Sequence, residues 1–599
     1  MRVVDYIAQF IYDTLKIKKV YMFAGGGAMF LNDCIAKHPK LEAICNHHEQ
    51  ACAMAAVGHA KYTNGFAAAI ITTGCGATNA ITGLLDAWQD NTTCLFISGQ
   101  VKRKETTHNT NVPLRQFGIQ EANIISIVNP ISKYSVMINE PQDIAYHLEK
   151  AYFLAQVGRP GPVWLDIPLD VQGANLDIDT LKHFNPSEYL KEFTETPEKE
   201  HIKHVSRLIQ NAKRPVILAG NGIRLANAVD EFQQFTDQYH IPVVASYLAI
   251  DLLHYEHKSY IGAVGVKGDR AANFTMQNAD LVIAIGCRLS VAVTGFEYNL
   301  FAREAQLVVV DIDPHEHQKN TVKIDYFINA DAKIFLQHLN QQTNITPSSH
   351  EWQNKILYWK NKWLISANNY LHDPENVNTY TFVKYLNKYL KSDSVIVTDT
   401  GSAVYVTEQT LTLRKGNRYI TSSAQEDMGY TLPAAIGVAT VKNGEVIAIT
   451  GDGSLQLNIQ ELQTIVHHQY PIKLFVWNNN GYLSIKLTQK RYFEGRLIGT
   501  DPTSGISFPK LEKIAAAYGI KYFKIEEVKQ LDAVLKQVLS LNEPVICEVI
   551  CPENQEITPT VSSLKKDDGT MVSKPLEDMY PFLDREEFFN EMIVNPVEE

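Results

Sequence analysis

The chain has 599 residues, 45% hydrophobic and 20% charged, with a formal net charge of −11. At roughly 100–200 residues per domain that length needs several hydrophobic cores, and the composition is that of a globular enzyme. The charge is spread without a long basic run, which excludes a nucleic-acid footprint and means that any phosphate site needs local donors and a metal.

Met1-Arg-Val-Val-Asp-Tyr-Ile reads as an amphipathic helix and lacks the unbroken apolar core of a signal peptide. No apolar run reaches the roughly 18 residues of a spanning helix, so no membrane partner is predicted and a cytoplasmic location is the expectation. The eight cysteines follow neither zinc nor redox spacing and read as buried reduced thiols. In chain order, strand-like runs fall at Lys19-Val-Tyr-Met-Phe23, Ala67–Thr72, Val216–Ala219, Leu281–Ile285, Leu307–Val310, Val395–Thr398, Val446–Ile449 and Lys473–Trp477. Such short apolar runs suit strands buried on both faces, and their alternation with helical patterns indicates repeated βαβ units. The predicted class is α/β, with three doubly wound parallel-sheet domains. Polar stretches at 185–201 and 340–351 place these at 1–180, 195–342 and 360–560. A tail or lid over 561–599, with Lys565-Lys-Asp-Asp-Gly569, follows.

In the first domain, His47-His48-Glu49-Gln50 opens a small-residue helix. Glu49 stands at its head, where the helix dipole favours an acid, and Ala55-Ala-Val-Gly58 permits close packing. The two histidines have no metal spacing and read as loop or packing residues. In the third domain, Gly451-Asp452-Gly453-Ser454 follows a strand, at the carboxyl end where open α/β sheets bind ligands. Glycines there let backbone approach a phosphate, and the next helix offers free N–H groups. One helix and one strand later come Asn478-Asn479-Asn480-Gly481, which brings Asn479 beside Asp452. A carboxylate, an amide oxygen and a backbone carbonyl are hard ligands suited to Mg²⁺.

Gly451-Asp452-Gly453 through Asn478-Asn479 resembles the thiamine-diphosphate motif, and nearly the whole chain resembles the acetolactate synthase branch of that superfamily. The resemblance implies a pyrimidine-binding, a central and a diphosphate-binding domain in that order. It implies that Asp452, Asn479 and the Gly481 carbonyl hold Mg²⁺, with Gly401, Ser402, Gly451, Gly453, Ser454 and Tyr482 around thiamine diphosphate. Glu49 matches the glutamate that hydrogen-bonds N1′ of the aminopyrimidine and so assists removal of the C2 proton, the thiazolium serving as electron sink. Gly25 and Gly26 match the turn near the thiazolium, Thr73 and Asn79 the glycine-rich loop, and Gln100 an active-site glutamine. Gln120 and Lys133 match a substrate-side stretch. Met428 matches the prop of the bent cofactor, with the Glu426 carbonyl at its amino group.

Three departures from the synthase pattern stand out: Ser402-Ala403 replaces Gln-His, Ile119 replaces a phenylalanine, and Thr488 stands where the synthases carry an acceptor-selecting tryptophan. Lys486, Lys490 and Arg491 could attract an anionic acceptor, and 489–495 with 571–577 could close as a lid. In the central domain, Gly220-x-Gly222 lacks a third glycine. By resemblance Gly220, Gly222, Arg288 and Asp311 lie where synthases bind FAD, while related enzymes bind ADP or nothing, and FAD is left open. The expected reaction is decarboxylation of a 2-oxo acid, pyruvate being the first choice, with carboligation to a second carbonyl compound by a transferase or lyase. The alternatives are a simple decarboxylase or a sugar-derived acceptor. The expected assembly is a homodimer or homotetramer, with no regulatory subunit identified.

Overall fold

The computed structural model describes residues 1–597 except 191–195, 366–375 and 566–569. The polar linker and the tail turn expected from sequence thus lie partly outside the described residues. Three six-stranded sheets follow one another along the chain, every pairing within them parallel. The first contains β1 (Lys19–Met22), β2 (Glu42–Cys45), β3 (Ala67–Ile71), β4 (Cys94–Gln100), β5 (Tyr134–Met137) and β6 (Val163–Pro168), in the order β2-β1-β3-β4-β6-β5. The second contains β7 (Pro215–Ala219), β8 (Val243–Ala245), β9 (Tyr260–Ala263), β10 (Leu281–Ile285), β11 (Gln306–Asp311) and β12 (Tyr326–Asn329), ordered β12-β11-β10-β7-β8-β9. The third contains β13 (Val395–Val397), β14 (Arg418–Ile420), β15 (Val446–Gly451), β16 (Ile472–Asn478), β17 (Lys521–Ile525) and β18 (Val545–Ile550), ordered β14-β13-β15-β16-β18-β17. Residues of β3, β4, β7 and β10 are buried throughout, the expectation for strands covered by helices on both faces.

Each sheet has a central reversal of strand order: between β1 and β3, between β7 and β10, and between β13 and β15. Loops leaving the carboxyl ends on either side of such a reversal splay apart and leave a crevice. The glycine motifs lie there: Gly25–Gly27 and Thr73-Gly74 in the first sheet, Gly220–Gly222 and Gly286 in the second, Asp399–Gly401 and Gly451–Gly453 in the third.

The first and third domains share a core through α1 (Glu49–Thr63) and a helix at Thr431–Ala439. A Cβ at Gly58 would lie 2.5 Å from the Ala434 carbonyl oxygen, and one at Gly437 only 2.0 Å from that of Ala55. The two backbones therefore touch, which explains the small-residue run after Glu49. The tail does not hang free. Leu576, Met579 and Phe588 join the core of the central domain, and buried Glu577 pairs with Arg303 at 2.7 Å.

Candidate functional site

The register of the third sheet sets Gly451 opposite Trp477, so Asp452 and the asparagines leave neighbouring strands side by side. The Asp452 carboxylate accepts from Gly453 N–H at 2.8 Å and Gly481 N–H at 3.2 Å. Among the described residues no cation faces it, and burial pushes its carboxyl up to about 7. The Asn479 side chain is 4% exposed, and its Oδ1 is buried without a hydrogen-bond partner. A buried amide oxygen without a donor is costly, and a hard cation shared with Asp452 would satisfy both groups. Among the described residues no group of three or more His, Cys, Asp or Glu offers another metal site.

Gly401 leads helix α2 (Ser402–Thr410) at φ +62°, in the left-handed region that glycine tolerates. Gly453 lies under Tyr482: a Cβ there would come within 2.2 Å of the ring. The Ser454 hydroxyl donates to buried Asp399 at 2.6 Å and accepts from Gly429 N–H at 2.8 Å. Its side chain thereby braces the loop bearing Met428. Glu426 adopts φ +53°, unusual for a residue with a Cβ.

In the first domain Glu49 is 5% exposed and accepts from Asn79 Nδ2 at 3.0 Å. Only a glycine fits at 76, where a Cβ would meet Glu49 Oε1 at 2.9 Å. His48 caps the helix by accepting from Gln50 N–H, in keeping with its reading as a loop residue. Gly25 has room for no side chain against Thr72, whereas Gly26 faces open space. Thr73 donates to Gln100 Oε1 at 2.8 Å, and Gln100 Nε2 donates to Asp166 at 3.0 Å and to the Ala122 carbonyl at 2.9 Å. Gln100 is thus fully engaged within the domain. Burial lifts the Asp166 carboxyl to about 7.

Sequence reasoning missed Glu461. Fully buried, it accepts from His47 N–H and Asn46 Nδ2 at 2.9 Å each and from Thr464 at 2.7 Å, tying the third domain to the loop before Glu49. Its only sequence signal is a lone acid two helical turns past Gly453, in a stretch where Gln and Asn alternate with apolar residues.

The substrate-side candidates fare differently. Exposed Gln120 packs its backbone carbonyl over Gly74. Lys133 donates to the Val157 and Arg159 carbonyls, and burial lowers its ammonium to about 8. Helix α3 (Leu483–Tyr492) carries Lys486 and Thr488. Lys486 is buried against Asp501 at 3.0 Å and Glu553 at 3.5 Å, which corrects its reading as a cation open to an acceptor. Thr488 is exposed and bonds back to the Ser484 carbonyl.

Three family models match the chain. The thiamine pyrophosphate enzyme N-terminal TPP binding domain covers residues 1–124, the central domain residues 202–339, and the C-terminal TPP binding domain residues 399–549. The acetolactate synthase large subunit of Lactococcus lactis is 31% identical over 92% of this chain and 94% of its own length. That of Buchnera aphidicola is 32% identical over 88% and 90%, and the isozyme 2 large subunit of Escherichia coli 29% identical over 92% and 97%. The chain belongs to the thiamine pyrophosphate enzymes, in their acetolactate synthase-like branch.

As a thiamine pyrophosphate enzyme it binds thiamine diphosphate and acts on a small molecule. Among the described residues no helix is long and apolar enough to cross a membrane. The central domain adds a cavity of about 470 Å³ at its sheet reversal, lined by Gly222, Gly286, Arg288, Asp311 and Asp331 and reaching Glu426. Gly220 is required there, since a Cβ would strike the Gly286 carbonyl at 2.0 Å. The resemblance to the synthases leaves FAD, ADP or no ligand open at these residues.

Proposed function

We propose that this enzyme decarboxylates a 2-oxo acid, pyruvate in the first instance, and joins the remaining two-carbon unit to a second carbonyl compound. The observation that carries the proposal is the presence in one chain of two buried half-sites. One is the buried Asp452 beside the unpartnered Asn479 Oδ1. The other is the buried Glu49 carboxylate, oriented by Asn79. The acetolactate synthase name of the relatives supports the carboligation reading.

In this proposal Asp452, Asn479 and the Gly481 carbonyl hold Mg²⁺, which neutralises the diphosphate of the cofactor. Gly401, Ser402, Gly451, Gly453 and Tyr482 line the diphosphate, and Met428 and the Glu426 carbonyl support the aminopyrimidine. Glu49, oriented by Asn79, holds the proton at N1′. Bound thiamine diphosphate supplies the electron sink for cleavage next to the carbonyl. Gln100, fixed by Thr73 and Asp166, positions the wall of the first domain, and Gly25 and Gly26 leave space for the ring. The active unit is a homodimer in which Glu49 of one chain faces Asp452 of the partner subunit, and two dimers could form a tetramer. The cavity of the central domain takes FAD or ADP.

Product analysis by NMR tests the reading. Purified protein is incubated with thiamine diphosphate, Mg²⁺ and labelled pyruvate, with and without FAD. A condensation product is expected. Acetaldehyde as the sole product, with every carbonyl acceptor supplied, would replace the carboligase with a simple decarboxylase.

A further inference from the structure

A diphosphate at the reversal of the third sheet calls for hydrogen-bond donors, and the hydroxyls that flank its glycine motifs in the chain are mostly committed. The Thr400 hydroxyl donates to Glu426 at 3.4 Å. The Ser454 hydroxyl donates to Asp399 at 2.6 Å and accepts from Gly429 N–H at 2.8 Å. A hydroxyl carries one proton, so Ser454 has none left for an anion. Asp399 is closed as well, since its carboxylate also takes the Thr450 hydroxyl at 2.7 Å and Thr400 N–H at 2.8 Å. After Gly401 the chain reads Ser402-Ala403, which brings one further hydroxyl from that turn.

Another donor stands in the first turn of α3. Ser484 Oγ is buried and makes no hydrogen bond among the described residues. It borders the open face of Gly401: a Cβ built there would lie 3.2 Å from Ser484 Oγ and, chain neighbours apart, within 4 Å of no other atom. A Cβ on Gly451 would meet nothing within 4 Å. Gly401 follows β13 and Gly451 closes β15, and these strands pair across the reversal, so the space both glycines leave free is the crevice itself. A structural role does not account for Ser484. Tyr482 is the N-cap of α3, and no side chain caps that helix. The turn is held by other contacts, Tyr482 N–H donating to the Thr500 carbonyl at 2.8 Å and Lys486 pairing with Asp501 at 3.0 Å. Native proteins leave few buried hydroxyls unpaired, and alanine is the better helix former at such a place.

We infer that Ser484 is a further ligand of the cofactor, its hydroxyl donating to a phosphoryl oxygen that enters the space left free by Gly401 and Gly451. This rests on the proposed placement of the diphosphate at those glycines, to which it adds a residue outside both motifs. A serine side chain turns between staggered rotamers, so the hydroxyl can follow the incoming oxygen. A hydrogen bond to an ionised oxygen is about twice as strong as one between neutral groups, which suits a donor kept without a partner until the ligand arrives.

The test is calorimetry on the full-length chain with saturating Mg²⁺ and no 2-oxo acid, so that it does not depend on turnover. The probes are thiamine diphosphate, inorganic pyrophosphate and thiamine. Ser484→Ala should bind the first two more weakly by about tenfold or more, the scale of one hydrogen bond to a charged group. Thiamine, which has no phosphate, should bind the variant and the unaltered protein alike. Melting without cofactor supplies a readout that a structural role would move. Ser484→Ala deletes a hydroxyl that has no partner and should leave that midpoint undiminished, whereas Ser454→Ala removes two hydrogen bonds and should lower it. Unaltered affinity of Ser484→Ala for both phosphorylated probes would overturn the inference. So would a loss shared equally by thiamine, or a cofactor-free midpoint that falls as far as that of Ser454→Ala. Asp452→Ala, measured alongside, separates the failures. If it loses the phosphorylated probes while Ser484→Ala keeps them, the diphosphate is rightly placed and Ser484 takes no part. If neither variant loses them, the placement itself falls and the inference with it.

Discussion

Glu461 offers the sharpest test of how the third domain orients the acid of the first. Its carboxylate takes three hydrogen bonds, from His47 N–H, Asn46 Nδ2 and Thr464, in a site closed to solvent. Glu461→Leu removes both acceptor oxygens and with them all three hydrogen bonds. The Thr464 hydroxyl can rotate to another partner, and the backbone at exposed His47 can reach water, but the Asn46 amide is 2% exposed and loses its acceptor. At about 1–3 kcal/mol for a buried donor left unpaired, stranding Asn46 costs about 1–3 kcal/mol. Glu461→Gln is milder. Asn46 Oδ1 is already unpartnered, so the Asn46 side chain can turn over and accept from the new amide. The net loss is then about 1–2 kcal/mol. His47 is two residues before Glu49, and a displacement of about 1 Å at a catalytic group costs on the order of a hundredfold in rate. Thermal melts with and without thiamine diphosphate, alongside kcat, should rank wild type above Gln above Leu, with the Leu variant slower by about a hundredfold. A three-domain chain does not unfold in two states, so midpoints are compared rather than extrapolated free energies. A Leu variant with wild-type midpoint and kcat would refute the bracing role.

Glu49→Gln should lower turnover by at least about a hundredfold, the scale of lost acid–base assistance, while calorimetry still shows thiamine diphosphate binding. Asp452→Ala should weaken Mg²⁺ and thiamine diphosphate binding together, and unaltered affinity for both would remove the metal assignment. Unfolding and refolding those two inactive variants as a mixture should restore about a quarter of wild-type activity. Random pairing makes half the dimers hybrids, each with one intact site; no recovery would refute a site shared between chains. Gly437→Ala forces a methyl to 2.0 Å from the Ala55 carbonyl and should destabilise by about 1–3 kcal/mol, read as a lower melting midpoint.

The fold was legible because its signals are local. A run such as Ala67–Ile71 is apolar on both faces, and a glycine turn follows it, so strand, burial and loop are visible within eight residues. Asp452 and Asn479 were legible for a related reason: one helix and one strand separate them, and parallel pairing fixes their strand ends together. Charge without context misled. Lys486 reads as a cation near a loop, yet Asp501 folds back upon it fifteen residues later, and nothing in the spacing announces that turn. Glu461 stayed invisible because its two partners in the first domain are more than four hundred residues away in the chain.

The same contrast separates the two sides of the site. Groups assigned to thiamine diphosphate and metal follow strands at a sheet reversal, where hydrogen-bonded backbone on either side fixes them. Substitution there disturbs the sheet end as well as the ligand, so the pattern Gly451-Asp452-Gly453 stays compact and recognisable. The substrate-side candidates are placed otherwise: Gln120 and Lys133 lie in loops, and Lys486 and Thr488 lie on α3, so no sheet register fixes them at the carboxyl end of a strand. Positions of that kind form no compact pattern in the sequence, and their surroundings become visible only in the folded chain.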